Sequence, residues 1–443
     1  MEIKKHQLEP RPREVKAQSP QDEIYLSIKI GNGQIGGNKV SLDGTVIAKG
    51  NLTGPTFIGI SKNLEGAEIE IETNVLDVNS FTNNCVITTT FHNQKNKVLF
   101  AKIDKGDSPD NGVASFNGKY IFKILSVLFF LFYTFDQNIN AQNTSDKVEL
   151  KGLETPSSPG FILLDQTPAS IERPTTPQGL GLSLLGFQQN GGALEFAPFW
   201  LTTHPDLAAE TMYKNKIPLL THFSVSLAAV KSDTASYLAG GIRSRLFQSF
   251  GNRIITKLDS LKRVIENELS KSPDDIDLNK IEKLRKDYVN ITEKPVFNID
   301  FAAAIGGGSN SNSFNDLAFS RWAAWLSLNL RPKGDDFYIT TLARYINNEK
   351  YEEYIFNADL VDIGARLNYD ISKFSISIEY LQRMNFTSKI YDNFRIAAIG
   401  SYKINENMYL TTTFGKNFSD VNNIIALAGV NFGFSNSKIK AYQ

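Results

Sequence analysis

From residue 179 to residue 434 the chain is written in long segments whose apolar and polar side chains take turns. In 362–370 (DIGARLNYD), Ile363, Ala365, Leu367 and Tyr369 share one side while Asp362, Gly364, Arg366, Asn368 and Asp370 share the other. In 374–383, Phe374, Ile376, Ile378 and Tyr380 oppose Ser375, Ser377, Glu379 and Arg383. A period of two belongs to a strand with unlike faces. About twelve such segments (179–187, 193–201, 222–230, 236–247, 296–305, 318–330, 337–346, 358–369, 374–384, 394–403, 408–418 and 424–434) commit this region to a large antiparallel sheet. A soluble sandwich would turn the apolar face inward, whereas a membrane barrel turns it to lipid and keeps the polar face in its lumen. Alternation alone does not choose. Segments about as long as a tilted bilayer-crossing strand favour the membrane, as do Phe319, Trp322, Phe337, Tyr338, Tyr380, Phe394, Tyr409 and Phe434 near their ends.

The stretch KYIFKILSVLFFLFYTFDQNINAQ, residues 119–142, bears on the same choice. Lys119 and Lys123 precede an almost wholly apolar run, 124–135, and the small residue Ala141 follows, which is the layout of a secretory signal peptide. The run is short for a spanning helix, which needs about 20 residues. A β-strand competes for its first residues, because Ala114, Phe116, Tyr120, Phe122 and Ile124 alternate with Ser115, Asn117, Lys119 and Lys123. The methionines are Met1, Met212, Met384 and Met408, so no start precedes Lys119 directly. A small domain fused ahead of an exported protein is the expectation.

Residues 1–22 are polar, with Pro10, Pro12 and Pro20, and are expected as a flexible lead-in. Short β-branched segments in 23–118, separated by turns such as Gly31-Asn32-Gly33 and Asp43-Gly44, predict a β-sandwich. Residues 142–178 contain Thr155-Pro156-Ser157-Ser158-Pro159-Gly160 and are expected as a Pro-rich linker. Leu258, Leu261, Ile265 and Leu269, then Leu278, Ile281, Leu284 and Tyr288, repeat at helical spacing around Ser272-Pro273-Asp274-Asp275. They predict a helical hairpin at 256–290, either a docking surface for a periplasmic protein or an insertion packing on itself.

With 47 residues of each charge sign and a formal net charge of zero, no global field recruits nucleic acid. The lone Cys85 closes no disulfide within the chain. His6, His92, His204 and His222 are scattered, and Gly306, Gly307 and Gly308 lack the Lys-Ser/Thr ending of a phosphate loop. Neither an enzyme, a metal nor a cofactor is expected.

The signal-like end at Ala141-Gln142 and the late segment 426–434 (ALAGVNFGF) resemble those of outer-membrane β-barrel proteins of Gram-negative bacteria, particularly the Bacteroidota. The resemblance covers about two thirds of the chain as pattern. It implies an outer-membrane barrel across 179–434 with membrane lipid around it. The tail 435–443 departs from the family, whose closing strand usually ends the chain.

On the polar side of these segments stand Arg243, Arg245, Arg321, Arg344, Arg366, Arg383 and Arg395, with Asp300, Asp362 and Glu379 as the acids. Rings of arginine favour anions, which points to passage or binding of small anionic solutes. The alternative is a ladder of Arg–carboxylate pairs that fills the lumen and holds it together. The chain is thus expected to be all-β: an N-terminal sandwich, then an antiparallel transmembrane barrel of about twelve strands with a helical hairpin insertion. A structural or assembly barrel that docks a periplasmic partner through the hairpin is the other function. The sequence sets neither the compartment of the N-terminal domain nor the oligomeric state.

Overall fold

The computed structural model describes residues 1–8, 11–124, 155–156, 158–164, 174, 177–190, 192–231, 236–309, 314, 316–332, 337–350, 357–371, 373–385, 393–405, 408–416 and 424–432. Among these the helices are α1 (Ser61–Leu64), α2 (Pro159–Leu163), α3 (Pro177–Asn190), α4 (Ala209–Lys214), α5 (Gly251–Leu269) and α6 (Leu278–Thr292). The chain forms two compact units, one of Met1–Ile139, Thr203–Asn215 and Phe250–Lys294, the other of Asn140–Thr202, Lys216–Ser249 and Pro295–Gln443.

The first unit holds two sheets. Strands β1 (Ile3–Gln7), β2 (Arg13–Ala17), β3 (Glu23–Ile30), β4 (Ile35–Leu42), β5 (Thr45–Gly50), β6 (Thr56–Ile60), β7 (Glu68–Leu76), β8 (Asn84–Asn93), β9 (Val98–Asp107) and β10 (Val113–Ile124) divide between them. One sheet runs β1-β10-β7-β4-β5 with β2 also on β10, and the other runs β6-β3-β8-β9. Alternate residues of both meet in a core that includes Ile24, Leu26, Val40, Ile69, Phe91, Phe116, Tyr120 and Phe122.

Two expectations change here. The lead-in 1–22 carries β1 and β2, which lie end to end along the long β10 in parallel pairing. Their mixed charges hid them, because edge strands expose one face. The buried Arg13 of β2 reaches Asp104 with both terminal nitrogens at 2.6 and 2.7 Å. The basic start of the signal-like stretch belongs to β10, where Lys119 pairs with Glu68 and Lys123 with Glu14. The apolar run beyond Ile124 lies outside the described residues.

The second face of the β4–β7–β10 sheet is also covered. Ile35, Leu76 and Val113 stand in one cross-strand row. They share a core with Leu258, Ile265 and Leu269 of α5, Ile281 and Tyr288 of α6, and Ala209 and Tyr213 of α4. The expected helical hairpin is therefore present as α5 and α6, packed on the sandwich.

The second unit is an up-and-down antiparallel sheet in strict chain order: β11 (Gly192–Phe196), β12 (Ser224–Lys231), β13 (Ser236–Ser249), β14 (Phe297–Ser309), β15 (Ala318–Leu330), β16 (Phe337–Lys350), β17 (Asn357–Ile371), β18 (Phe374–Asn385), β19 (Asn393–Asn405), β20 (Met408–Lys416) and β21 (Ile424–Phe432). The described residues show eleven strands and no pairing of β11 with β21. The segment 179–187, expected as a first strand, lies in α3. Its GLGLSLLGF alternates as a strand would, but Pro177 at the first helical position suits a helix start. No described helix is long and apolar enough to cross a membrane, which says nothing of crossing by strands.

Candidate functional site

The large sheet is buried on its polar side. On β17, Asp362 and Asn368 are 0% exposed and Arg366 4%, whereas Ile363, Leu367 and Tyr369 are 48–50% exposed. On β18, Ser377 and Glu379 are buried while Phe374, Ile376, Ile378 and Tyr380 are exposed. A water-soluble sheet does the reverse. Of the aromatics expected near strand ends, Phe319, Trp322, Phe337, Tyr380 and Phe394 stand on the exposed side. Tyr338 is buried on the other. The side chains of Tyr409 and Phe434 lie outside the described residues.

Strand register assembles the polar groups into rows. Arg344 of β16, Asp362 of β17 and Arg383 of β18 are direct cross-strand neighbours. The Asp362 carboxylate accepts from Arg344 Nε at 2.9 Å and from Arg383 Nε and Nη2 at 2.8 and 3.0 Å. Four residues along, Arg366 faces Glu379, and Glu379 also holds Arg395 of β19, at 3.3 and 2.9 Å. Four guanidinium groups thus converge on two carboxylates, leaving an excess of two positive charges. Further along the same face Asn368 and Ser377 are cross-strand neighbours, buried, with no hydrogen-bond partner for either side chain among the described residues.

Other expected site residues sit apart from this cluster. Arg245 pairs with Asp300 at 2.9 Å across β13 and β14. Arg243 lies 3.8 Å from Glu195 of β11, an acid that sequence patterning did not place on the polar face. Arg321 is half-buried opposite Gly306.

The inner side of β12 to β15 is different in kind. Ala228, Ala239, Ala302, Ala304 and Ala323 form a small-residue patch there, covered by Leu163 and Leu164 at the end of α2. Gly160 donates its backbone N–H to Ser226 Oγ at 3.2 Å, and Thr155 Oγ1 lies 2.6 Å from Ser327 Oγ. A side chain at Gly241 would stand 2.8 Å from Gly160 N and Pro159 Cγ. Part of the expected linker is therefore seated on the sheet. Neither the patch of alanines nor the segment that fills it was singled out from the sequence.

No group of three or more His, Cys, Asp or Glu residues that could hold a metal occurs among the described residues. No family model matches the chain, and no curated protein matches it. Among solved structures it is similar to the anion-selective porin from Comamonas acidovorans, at 8% identity over 93% of this chain and 94% of that one, with a TM-score of 0.28. It is similar also to the outer membrane channel DcaP of Acinetobacter baumannii, at 6% identity over 94% and 98%, TM-score 0.28. A mutant of the Rh. blastica porin matches at 6% identity over 92% and 99%, TM-score 0.24. Scores this low do not establish a common fold.

Proposed function

We propose that the large sheet is the wall of an outer-membrane β-barrel whose polar face passes or binds small anionic solutes. The observation that carries the proposal is the inverted burial: carboxylates and guanidiniums inside, isoleucine, leucine and aromatic side chains outside. Only a surrounding apolar solvent makes that arrangement favourable, because a continuous apolar face in water would cost about 25 cal/mol for each Å² left wet. The path for a solute runs along β16 to β19. There the Arg344–Asp362–Arg383 and Arg366–Glu379–Arg395 sets carry surplus positive charge, while α2 covers the wall of β12 to β15. Asn368 and Ser377, buried on the same face, are polar groups that an ordered water would satisfy.

The second function is a structural barrel that holds a partner; the apolar face of the α5–α6 hairpin is occupied by the chain's own sandwich, so such a partner would need another surface. Conductance separates the two. The purified full chain in planar bilayers should give discrete, anion-selective steps. A folded barrel that stays silent would leave the structural function standing.

A further inference from the structure

We propose that the N-terminal sandwich is the receptor for two segments that the large sheet extends from one end, 203–215 and 250–294. On this proposal it remains bound to them when the chain is cut between Ile124 and Thr155. Its compartment then follows from that end of the sheet and rests on the barrel proposed above; the binding itself does not.

The argument begins with the sheet β4–β7–β10. Its inner residues, such as Val40, Val75 and Phe116, fill the sandwich core. Its outer residues should be polar in a free domain, yet Ile35, Leu76 and Val113 lie there in one row, all nearly inaccessible beneath the hairpin. Next to that row, Gly37 lets the α5 backbone approach: any Cβ would collide with the Glu266 carbonyl and stand 2.6 Å from Ser270 N. Asn74, 0% exposed, donates to the carbonyls of Leu269 and Lys271 at 2.8 and 2.9 Å. The first carbonyl ends α5 and the second lies in the turn just beyond it, so Asn74 adds to the capping that Ser270 already gives Glu266 and Glu268 at this helix end.

The periphery is matched as well. Lys39 donates to Ser272, Asn51 to Glu266, and Lys5 pairs with Asp274. The second segment docks through the β3–β4 turn, where Asn32 N donates to His204 O at 2.9 Å and Gly33 N to Leu207 O at 2.7 Å. His204 N returns a hydrogen bond to Asn32 Oδ1 at 2.6 Å. Asn32 and Gly33 have φ of 55° and 66°, a turn conformation that aims both N–H groups outward.

Topology supplies the side. In an up-and-down sheet, alternate connections share one end. The segment 203–215 leaves between β11 and β12 and the hairpin between β13 and β14, so both depart from the same end. A sandwich that grips both therefore shares that compartment, and a cut at Ala141 would leave it docked rather than behind.

A protease site inserted after Ala141 in the full chain, cleaved in detergent, tests this by size exclusion. The cut parent should elute as one complex of both fragments. The same cut in Leu269→Glu should release the sandwich, whose β-sheet circular dichroism shows that it is still folded. Asn74→Ala should weaken the association roughly tenfold or more, from two lost hydrogen bonds to the carbonyls of Leu269 and Lys271. Separation of the cut parent into folded fragments overturns the proposal, as does undiminished association in both variants. Because elution is read without conductance, a silent barrel leaves the result intact.

Discussion

Arg383 grips Asp362 in a two-point pair, Nε to Oδ1 at 2.8 Å and Nη2 to Oδ2 at 3.0 Å, on the buried side of a sheet whose exposed side is apolar. Each partner sits at the position that strand register dictates, so the pair is a product of alternation and not of a local motif. Arg344 approaches the same carboxylate from the other side.

Reversing one of these charges should therefore change both stability and selectivity. Arg383→Glu sets two carboxylates face to face beneath Arg344, and loss of a buried partner typically costs about 3–5 kcal/mol. The folded form should yield to heat earlier, on gel mobility. Channels that still form should shift their reversal potential toward cations, because the row Arg344–Asp362–Arg383 goes from surplus positive to surplus negative. Parent stability together with parent selectivity would sink the assignment of this row to the conducting path.

Seating of α2 depends on the absence of a side chain at position 241. Gly241→Leu should drive 155–164 off the wall of β12 to β15 and raise the single-channel conductance several-fold, since the Arg-rich side is untouched. Unchanged conductance in a folded variant would mean that α2 does not narrow the path.

What the sequence made legible follows from period and what it hid follows from distance. Strands β12 to β21 are long, and each shows the two-residue period by itself. Expected bounds such as 374–384 fall close to Phe374–Asn385. The inward parity of Arg344, Arg366 and Arg383 came with it. Residues 179–187 misled because Leu180, Leu182 and Leu184 satisfy a strand period inside a helix. Part of the long connection after β11, 203–215, belongs to the other unit, which no local pattern announces. Contacts such as Asn74 with Leu269 join residues far apart in the chain, and no local pattern announces them.

Two buried acids of the first unit give opposite pH dependences. Burial would raise Glu268, but hydrogen bonds from Lys271 and Lys280 outweigh it and hold the carboxyl down to about 2. Its contribution is present above the ordinary value of 4.5 and is lost as pH falls toward 2. Asp77 is pushed up to about 6 by burial, against the opposing pull of Arg285. Its contribution is present below the ordinary 3.8 and is lost as pH rises through 6, on the order of 3 kcal/mol in all. Thermal unfolding followed from pH 2 to 7 should show Glu268→Gln flattening the acid limb and Asp77→Asn flattening the limb between about 4 and 6. Unaltered limbs in the two variants would contradict these environments.

Sidedness can be read on whole cells. The two-residue connections 372–373 and 406–407 share one end of the sheet with the departures to 203–215 and 250–294. The connections 351–356 and 386–392 are at the opposite end. Outer-membrane barrels keep short turns in the periplasm and longer loops outside. Epitope tags near Lys350 and Lys389 should therefore label on intact cells, and a tag at Asp275, in the turn of the α5–α6 hairpin, only after permeabilisation. A tag at Met1 should behave like the one at Asp275, since the sandwich grips that hairpin. The reverse pattern would invert the barrel, and equal labelling of all four positions without permeabilisation would remove the membrane from the account. Should Asp275 follow the periplasmic pattern while Met1 never labels outside the cytoplasm, the sandwich and the hairpin would be in different compartments, and their contact could not persist in the cell.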